Sequence, residues 1–311
     1  MGSETRDNFA NAPVAELALP GSYGISPGDF SLPLDIRLGR VRLQVSDIGR
    51  SLDFYERVLG LRALERDSSR AVLGAHDDTE PLVELTARRG AMPAPTRGQL
   101  GLFHYAILLP DRASLGRFAQ HLGDINARAG SADHLVSEAF YLQDPDNLGI
   151  EVYADRPRSA WLRTGRELKM ATDPIDFGGL LRSAGDAKWT GMPGGTVMGH
   201  VHLHVGEIAT ASSFYSDALG FDRIAWGYPG ALFMSAGGYH HHLGTNIWAG
   251  RGARAAGDGD ARLLEWTIRL PDSANVAAVG ENLERSGYSV ERDDVSVVTR
   301  DPWGTQLRIG Q

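Results

Sequence analysis

The feature that most restricts the fold of this chain is a unit of about 50 to 60 residues that occurs four times. The two clearest copies begin at Arg40–Asp47 and His200–Glu207, where polar and apolar residues alternate up to an acidic residue. In both copies a segment follows in which Phe, Tyr and Leu recur at helical spacing, and a glycine stands where a helix would end. Each copy therefore predicts a strand followed by a helix.

Two weaker copies begin at His104–Asp111 and Glu265–Asp272, and they lead into predicted helices over residues 114–122 and 275–284. Each copy then has room for about three further strands. The pattern predicts an α+β fold of four βαβββ modules, numbered one to four along the chain, at residues 38–89, 100–155, 197–249 and 262–310. A module is shorter than an ordinary domain, so the modules should pair to bury a core.

The order of the modules suggests two open, barrel-like domains. Modules one and two form the first, over residues 37–157, and modules three and four form the second, over 197–311. A linker over 158–196 joins them. Residues 1–36 are rich in Gly, Pro, Ser and Ala, which predicts a flexible N-terminal arm.

Composition excludes several kinds of function. The chain has no cysteine, which rules out disulfides and zinc–thiolate sites and favours a reducing compartment. Its net charge of −8 argues against nucleic acid as a partner, because phosphate binding needs a basic face. No apolar run is long enough for a membrane span, and no secretory pattern is recognised at the start, so we expect a cytoplasmic protein.

A carboxylate inside an apolar strand is the first sign of chemistry. Glu151 stands in the alternating segment Gly149–Tyr153, where a charge is costly to bury unless a positive partner meets it. A divalent metal is one such partner. His104 and His200, on similar predicted strands, are then the candidate further ligands.

The repeat resembles the βαβββ module of the vicinal oxygen chelate superfamily, which includes glyoxalase I, bleomycin-resistance proteins and extradiol catechol dioxygenases. The phrases Ser-Leu-Asp-Phe-Tyr (51–55) and Val-Leu-Gly-Leu (58–61) carry this resemblance. Four modules cover nearly all of the chain beyond the arm, as in the two-domain extradiol dioxygenases.

The superfamily uses a first-strand position as a metal ligand, seven residues before the acidic residue of each module. Modules two and three have His104 and His200 there, whereas modules one and four have Arg40 and Glu265. The last strand of module four has Arg308 where module two has Glu151, and arginine cannot ligate a metal. Since most extradiol enzymes take all three ligands from the last two modules, we infer a permuted pairing here, of two with three and of one with four. The charged residues of the other pair are predicted to form a salt-bridged centre: Arg40, Glu84, Glu265 and Arg308.

The segment from His134 to Glu151 resembles the extradiol signature, in which a histidine precedes a tyrosine, an acidic–proline pair and the metal glutamate. The tyrosine is Tyr141. Asn147 departs from the signature, which prefers Gly or Pro there, but Asn tolerates a left-handed turn.

Residues 239–244 resemble the strand that supplies the acid–base histidine of these enzymes, and alignment on Leu243 and Gly244 selects His241. His240 and His242 are then predicted to point to the opposite face of the strand. His202 and His204 share the strand of His200, and either could line the cleft or support a ligand.

The resemblance implies an extradiol dioxygenase that inserts O₂ into a catechol-type substrate at a non-haem Fe(II) site, with Mn(II) as the alternative metal. His104, His200 and Glu151 would form the two-histidine, one-carboxylate triad. His134 and Tyr141 would orient the substrate, and His241 would act as base and acid. The partners are then a small aromatic diol and O₂, and the resemblance is compatible with a homo-oligomer.

Two other functions compete with this interpretation. A glyoxalase-like isomerase or lyase of the same fold commonly needs a fourth protein ligand, often a second carboxylate. A non-catalytic small-molecule-binding protein, similar to the bleomycin-resistance proteins, would lack the metal triad.

Overall fold

Each predicted module folds as a strand, a helix and three strands in the computed structural model, which describes residues 14–311. The short strand β1 (Glu16–Leu17) precedes them. Module one comprises β2 (Arg37–Val45), α1 (Ile48–Arg57), β3 (Arg62–Arg66), β4 (Arg70–Gly74) and β5 (Pro81–Ala87). Module two comprises β6 (Gln99–Leu108), α2 (Arg112–Asp124), β7 (Gly130–Asp133), β8 (Ser137–Gln143) and β9 (Gly149–Asp155).

The linker between the halves has secondary structure of its own. It contains a 3₁₀ turn (Arg158–Ala160), β10 (Leu162–Thr164), β11 (Glu167–Leu168) and α3 (Phe177–Ser183). Module three comprises β12 (Val197–His204), α4 (Ile208–Ser212), which continues as a π-helical segment (Ser213–Ala218), β13 (Asp222–Ala225), β14 (Ala231–Ser235) and β15 (Leu243–Asn246). After β16 (Arg254–Ala255), module four comprises β17 (Arg262–Arg269), α5 (Ser273–Arg285), β18 (Val290–Arg292), β19 (Ser296–Arg300) and β20 (Gln306–Gly310). The predicted α+β class and the four βαβββ modules are confirmed.

The acidic residue that recurs in each module is the N-cap of the helix that follows. The side chains of Asp47, Asp111 and Asp272 each accept a hydrogen bond from the backbone N–H three residues later. Such a cap contributes about 1 kcal/mol by satisfying a helix-terminal donor. Glu207 occupies the N-cap of α4 without that bond. The glycines predicted to end α1 and the helix of module three, Gly60 and Gly220, have φ angles of 74° and 103°.

The modules pair across the two halves of the sequence. Modules two and three form one sheet, sheet I, in the strand order β13-β14-β15-β12-β6-β9-β8-β7, with β16 beside β6. Modules one and four form sheet II, in the order β18-β19-β20-β17-β2-β5-β4-β3. The inferred permuted pairing is therefore confirmed. The predicted domain boundaries 37–157 and 197–311 divide the sequence into two halves. Neither half forms a sheet by itself, because each sheet takes one module from each half.

The described part of the N-terminal segment packs against the body of the protein. Within residues 14–36, Ala18 N–H donates to the Trp161 carbonyl (2.8 Å), and Ile25 exchanges two backbone hydrogen bonds with Arg223. Leu32 and Ile36 are buried in the main core. A flexible arm therefore does not describe residues 14–36, because these backbone bonds and buried side chains hold the segment. Residues 1–13 lie outside the described part of the chain.

Two tyrosine–aspartate hydrogen bonds link the sheets. Tyr55 on α1, beside sheet II, donates to Asp144 in the turn before β9 of sheet I (3.2 Å). Tyr215, on the helix of module three, donates to Asp301 in the turn before β20 of sheet II (2.9 Å). The other carboxylate oxygen of each aspartate accepts two backbone N–H groups of its own turn. Each aspartate thus shapes a turn and ties it to a helix of the other sheet. Both Phe-Tyr pairs lie on helices, as predicted, and the two tyrosines are fully buried.

No helix within residues 14–311 is long and apolar enough to cross a membrane.

Burial of Asp144 makes a prediction about the pH dependence of stability. Burial, together with the nearby charge of Asp146, raises the pKa of Asp144 to about 7. A folded-state pKa above the unfolded value means that folding favours the protonated carboxyl, so stability is lost as pH rises from about 4 through 7. In Asp144→Asn the amide oxygen can still accept the turn N–H groups and cannot ionise. The unfolding free energy of this variant relative to the native protein should rise by about 2 to 3 kcal/mol between pH 5 and 8.

Urea unfolding of both proteins across this pH range measures the difference. Asp53→Asn, on the exposed face of α1, serves as the matched control and should show no such trend. A difference between Asp144→Asn and the native protein that stays constant with pH would contradict the argument.

Candidate metal centre

Three neighbouring strands at the centre of sheet I place the predicted ligands on one face. In the strand ladder, Ala106 of β6 lies opposite both His200 of β12 and Glu151 of β9. His104 lies two residues before Ala106, so its side chain projects from the same face. The alternation that predicts these strands therefore also brings the three side chains together.

The three side chains converge closely and are buried. His104 Nε2 lies 3.0 Å and His200 Nε2 lies 3.1 Å from the same oxygen of Glu151. One nitrogen of each histidine and a carboxylate oxygen all lie within 4.8 Å of one another. No more than 5% of any of the three residues is exposed. This spacing would allow one ion to contact all three.

The arrangement fits a metal ion better than a hydrogen-bonded cluster. His104 Nε2 is buried and makes no hydrogen bond within the described residues, although it lies beside the carboxylate. An unsatisfied buried nitrogen is costly unless another partner takes its lone pair. Two imidazoles and one carboxylate suit a divalent transition metal.

The protonation states also suit a metal. Burial would raise the pKa of Glu151, but His200 and His104 outweigh it and hold that pKa well below its usual value. Burial lowers the pKa of His200 to about 4, although Glu151 opposes the shift. At neutral pH the carboxylate is therefore ionised and the His200 ring is neutral, which are the forms that ligate.

The equivalent place in sheet II has an ion-pair cluster. Glu84 is contacted by Arg40 (3.1 Å) and Arg70 (2.9 Å), and Glu265 is contacted by Arg308 (3.2 Å). Arg42 lies between the two carboxylates, at 3.4 and 3.6 Å. The predicted salt-bridged centre is confirmed. Both glutamates are buried, and arginines neutralise them where sheet I has histidines.

Module three has a glycine at the position where module two has the carboxylate Glu151. Gly244 of β15 lies opposite His202 of β12, and this is the register position that Glu151 occupies in module two. A Cβ atom on Gly244 would lie 2.8 Å from the His202 ring. Any side chain at this position would therefore require the His202 ring to move.

A cavity of about 300 Å³ opens beside the three residues. His134, Tyr141 and His241, which the sequence singled out, all line it together with His104 and Glu151. His200 lies behind His241, with 4.0 Å between the ring centroids. The remaining lining residues come from strands of sheet I, from the loops beside them and from the linker: Phe103, Met170, Ala171, Thr172, His202, Tyr228, Phe233 and Trp248.

His134 and Tyr141 form a hydrogen-bonded pair at the cavity wall. His134 Nδ1 lies 2.6 Å from the Ala171 carbonyl, which can only accept, so this nitrogen carries the proton. In the neutral ring Nε2 is then an acceptor, and Tyr141 donates to it at 2.5 Å. Burial and the charge of Glu151 raise the pKa of Tyr141 well above its usual value, so the phenol keeps the proton that it donates.

Asn246 fixes two histidines whose roles the sequence left open. Its Nδ2 donates to His202 Nε2 (3.0 Å), and its Oδ1 accepts from His204 Nδ1 (2.7 Å). His202 lines the cavity, and His204 lies farther along the same strand. Sequence reasoning misses Asn246, although its place two residues after Gly244, on the same face of β15, is a signal that could have identified it.

The strand predicted around the triple histidine is absent. Residues 239–242 are irregular, with bends at His240 and His242, and β15 begins at Leu243. His241 lines the metal-site cavity, whereas His242 lines a separate cavity of about 620 Å³ between the sheets. His240 is fully buried behind His241. Because these residues are not in a strand, strict alternation of faces does not apply to them.

Comparisons with known proteins agree with the fold. A family profile described as the Glyoxalase/Bleomycin resistance protein/Dioxygenase superfamily matches residues 37–152. The chain is 43% identical over 275 residues to a catechol-2,3-dioxygenase of Bacillus subtilis (strain 168), covering 88% of this chain and 96% of that protein. It is 29% identical over 129 residues to a lactoylglutathione lyase of Escherichia coli O157:H7, covering 39% of this chain and 94% of that protein.

Two solved structures share the fold. A Bacillus subtilis protein described as a dioxygenase superposes with a TM-score of 0.60 at 13% identity, over 90% of this chain and 86% of that chain. Glyoxalase I from Zea mays superposes with a TM-score of 0.53 at 17% identity, over 89% and 92% of the two chains. At these identities the likeness concerns the fold alone.

The site predicts one tightly bound divalent ion per chain. Glu151→Gln and His104→Ala should each weaken Fe(II) binding at least about 100-fold, because each removes one of three ligands. Anaerobic dialysis against Fe(II), followed by elemental analysis, gives the stoichiometry. Fe(II) at a concentration that just saturates the native protein should also raise its unfolding temperature, and should raise that of these variants much less.

The matched control is His121→Ala on α2, outside the site, which should bind Fe(II) as the native protein does. Full Fe(II) binding by Glu151→Gln would show that the ion lies elsewhere.

Proposed function

Because the chain belongs to the glyoxalase/bleomycin resistance protein/dioxygenase superfamily and is a catechol-2,3-dioxygenase-like enzyme, we propose that it is an extradiol dioxygenase that opens the ring of a catechol with O₂. The proposed metal is Fe(II), held by His104, Glu151 and His200. The proposed partners are a small aromatic diol and O₂.

The observation that carries this proposal is the pairing of an incomplete ligand set with a ring-sized cavity. Three protein ligands leave coordination positions free for substrates. The isomerase alternative calls for a second carboxylate, and Gly244 occupies the position where module three would supply it. The binding-module alternative calls for no triad, whereas three buried side chains that could ligate a metal lie together here.

The reaction is balanced by catechol and O₂ alone. The carbon–carbon bond next to the diol breaks, and both oxygen atoms enter the ring-opened product, of the 2-hydroxymuconic semialdehyde type. No external reductant is consumed. Fe(II), when bound, would supply Lewis acidity that lowers the hydroxyl pKa of catechol, and the one-electron chemistry that O₂ requires.

The side chains around the triad have complementary roles in this proposal. Tyr141 and His134 form a fixed wall beside His104, with 5.6 Å between the His104 and Tyr141 ring centroids, and they would orient the diol. His241 lines the same cavity and would take a proton from a catechol hydroxyl and return it when the ring opens. Burial and the neighbouring His200 keep the pKa of His241 well below its usual value, so its ring begins neutral and can act as a base.

The cavity walls favour an apolar, uncharged catechol. About 150 Å³ is enough to hold a benzene ring, so a cavity of about 300 Å³ leaves room for a substituent of similar size. Part of the wall is aromatic and is formed by Phe103, Phe233 and Trp248. Among the described residues that line the cavity there is no lysine or arginine to pair with a substrate carboxylate.

Ring cleavage should depend on the triad. Protein purified without air and loaded with Fe(II) should consume one O₂ per catechol and form a yellow product. His200→Ala should lower kcat at least about 1,000-fold, since it disrupts the metal site that the reaction requires. An oxygen electrode and visible absorbance measure both, with His121→Ala as the control that retains activity.

No oxygen uptake by the Fe(II)-loaded native protein with any of several alkyl or aryl catechols would overturn the proposal.

The substrate preference should follow charge. A catechol with an alkyl or phenyl substituent should be cleaved with a kcat/KM similar to or above that of catechol. For 3,4-dihydroxybenzoate we expect at least about a 100-fold lower kcat/KM, or about 2.7 kcal/mol, because its carboxylate would be buried unpaired.

Tyr228→Arg places a cation at the half-buried edge of the cavity, so it should narrow this difference. Tyr228→Gln is the uncharged control. Equal kcat/KM values of the native protein for the two kinds of substrate would contradict the argument from the walls.

A further inference from the structure

Three hydrogen-bonded polar side chains form a series that leads from the end of β9 to the cavity. His240 Nε2 lies 2.9 Å from a carboxylate oxygen of Asp155, the last residue of β9. His240 Nδ1 lies 2.8 Å from His241 Nδ1. His240 is completely buried, so water cannot replace either contact.

The direction of each hydrogen bond in this series follows from the carboxylate at one end of it. An ionised carboxylate only accepts, so His240 Nε2 donates to Asp155. The other nitrogen of a neutral His240 ring is then an acceptor, and His241 Nδ1 must carry the proton that it accepts. His241 Nε2 then carries no proton. It has no hydrogen-bond partner within residues 14–311 and is not among the fully buried atoms, and the ring lines the cavity.

The surroundings hold this series of side chains in place. Tyr239 donates to the same Asp155 oxygen (3.1 Å) and lies within hydrogen-bonding distance of the Tyr153 hydroxyl (2.6 Å). Tyr153 and Trp161 flank the His240 ring, with centroids at 5.9 and 5.5 Å. An aromatic cage and a second hydrogen bond therefore fix both the carboxylate and the ring.

Strand β9 carries both a residue of the metal site and the first residue of this hydrogen-bonded series. Residues 151, 153 and 155 alternate along β9, so Glu151 and Asp155 face the same side of the sheet. This strand thus sets the distance between Glu151, the proposed metal ligand, and Asp155, the carboxylate that contacts His240.

We propose that Asp155 and His240 are positioning residues that hold His241 in the tautomer with a bare Nε2 facing the substrate. This role rests on the proposed function, in which His241 is the base. Of the three consecutive histidines, one then exchanges protons, one sets its tautomer, and His242 takes no part.

The test compares two replacements of His240. His240→Phe keeps an aromatic ring between Tyr153 and Trp161 but loses both hydrogen bonds. His240→Gln can restore the pattern, because its amide N–H can donate to Asp155 and its oxygen can accept from His241. We expect kcat for ring cleavage to fall about 10- to 100-fold in His240→Phe, with KM and Fe(II) content unchanged, and to recover most of that loss in His240→Gln. His242→Phe is the matched control and should change kcat less than about threefold, as expected of a residue outside the reaction.

A second readout is independent of activity. Nitrogen-15 NMR of histidine-labelled, metal-free protein distinguishes the protonated from the bare ring nitrogen, and comparison with His241→Gln assigns the His241 signals. The native protein and His240→Gln should show one tautomer, with the proton on Nδ1, and His240→Phe should show a mixture. Equal kcat in His240→Phe and the native protein, or equal losses in the Phe and Gln variants, would overturn the proposal, and so would a proton on Nε2 in the native protein. If no catechol is cleaved, the NMR result still decides whether the tautomer is fixed, so failure of the proposed function is separately visible.

Discussion

The buried carboxylate of Glu151 is the group around which sheet I is arranged. A lone charge at this depth would be strongly destabilising, and two imidazoles from the neighbouring strands meet it within about 3 Å. The same register position in sheet II has Glu84 in module one, and three arginines neutralise it. Both sheets therefore bury a glutamate at the same position, beside histidines in sheet I and beside arginines in sheet II. Arginine leaves no lone pair for a ligand, whereas histidine does, so within residues 14–311 the group of side chains that could hold a metal lies in sheet I.

The permuted pairing makes the site a product of both halves of the chain. His104 and Glu151 come from module two, and His200 comes from module three, across the central antiparallel pair of sheet I. The two tyrosine–aspartate bonds then connect each helix to the opposite sheet. A shift of one sheet against the other would strain these buried bonds, and one of them shapes the turn from which the strand of Glu151 begins. The distance between the ligands is therefore coupled to the packing of the two sheets.

The sequence predicts the modules because their signals are local. Alternation marks the strands, and the recurring acidic residue marks the helix starts because its side chain caps them. The triad follows from register within these repeats. Asn147 adopts the left-handed conformation that its turn requires, with a φ of 64°, and this too is a local property.

The remaining features depend on contacts between distant segments. Ala171 of the linker accepts from His134, and Asp155 reaches His240 across 85 positions of sequence, so no short pattern reveals either partner. The irregular segment at residues 239–242 arises in the same way, since Asp155 of β9 accepts hydrogen bonds from the side chains of Tyr239 and His240 before β15 begins. Composition misdescribes residues 14–36, because their backbone forms hydrogen bonds with the linker and with module three, which are distant in sequence.

The protonation states of the site histidines determine the net charge that a substrate would meet in the cavity. Burial lowers the pKa of His200 to about 4 and, with the neighbouring rings, lowers those of His202 and His241 well below the usual value. Glu151 is then the only charge among these four groups at neutral pH. A dication bound there leaves one net positive charge, which a singly ionised catechol would neutralise. On the proposed function, the cavity would need no cation of its own to bind a diol, and its remaining wall can be aromatic. A substrate with a second negative charge would meet no lysine or arginine among the described lining residues, so the same balance would favour an ionised diol over a carboxylated one.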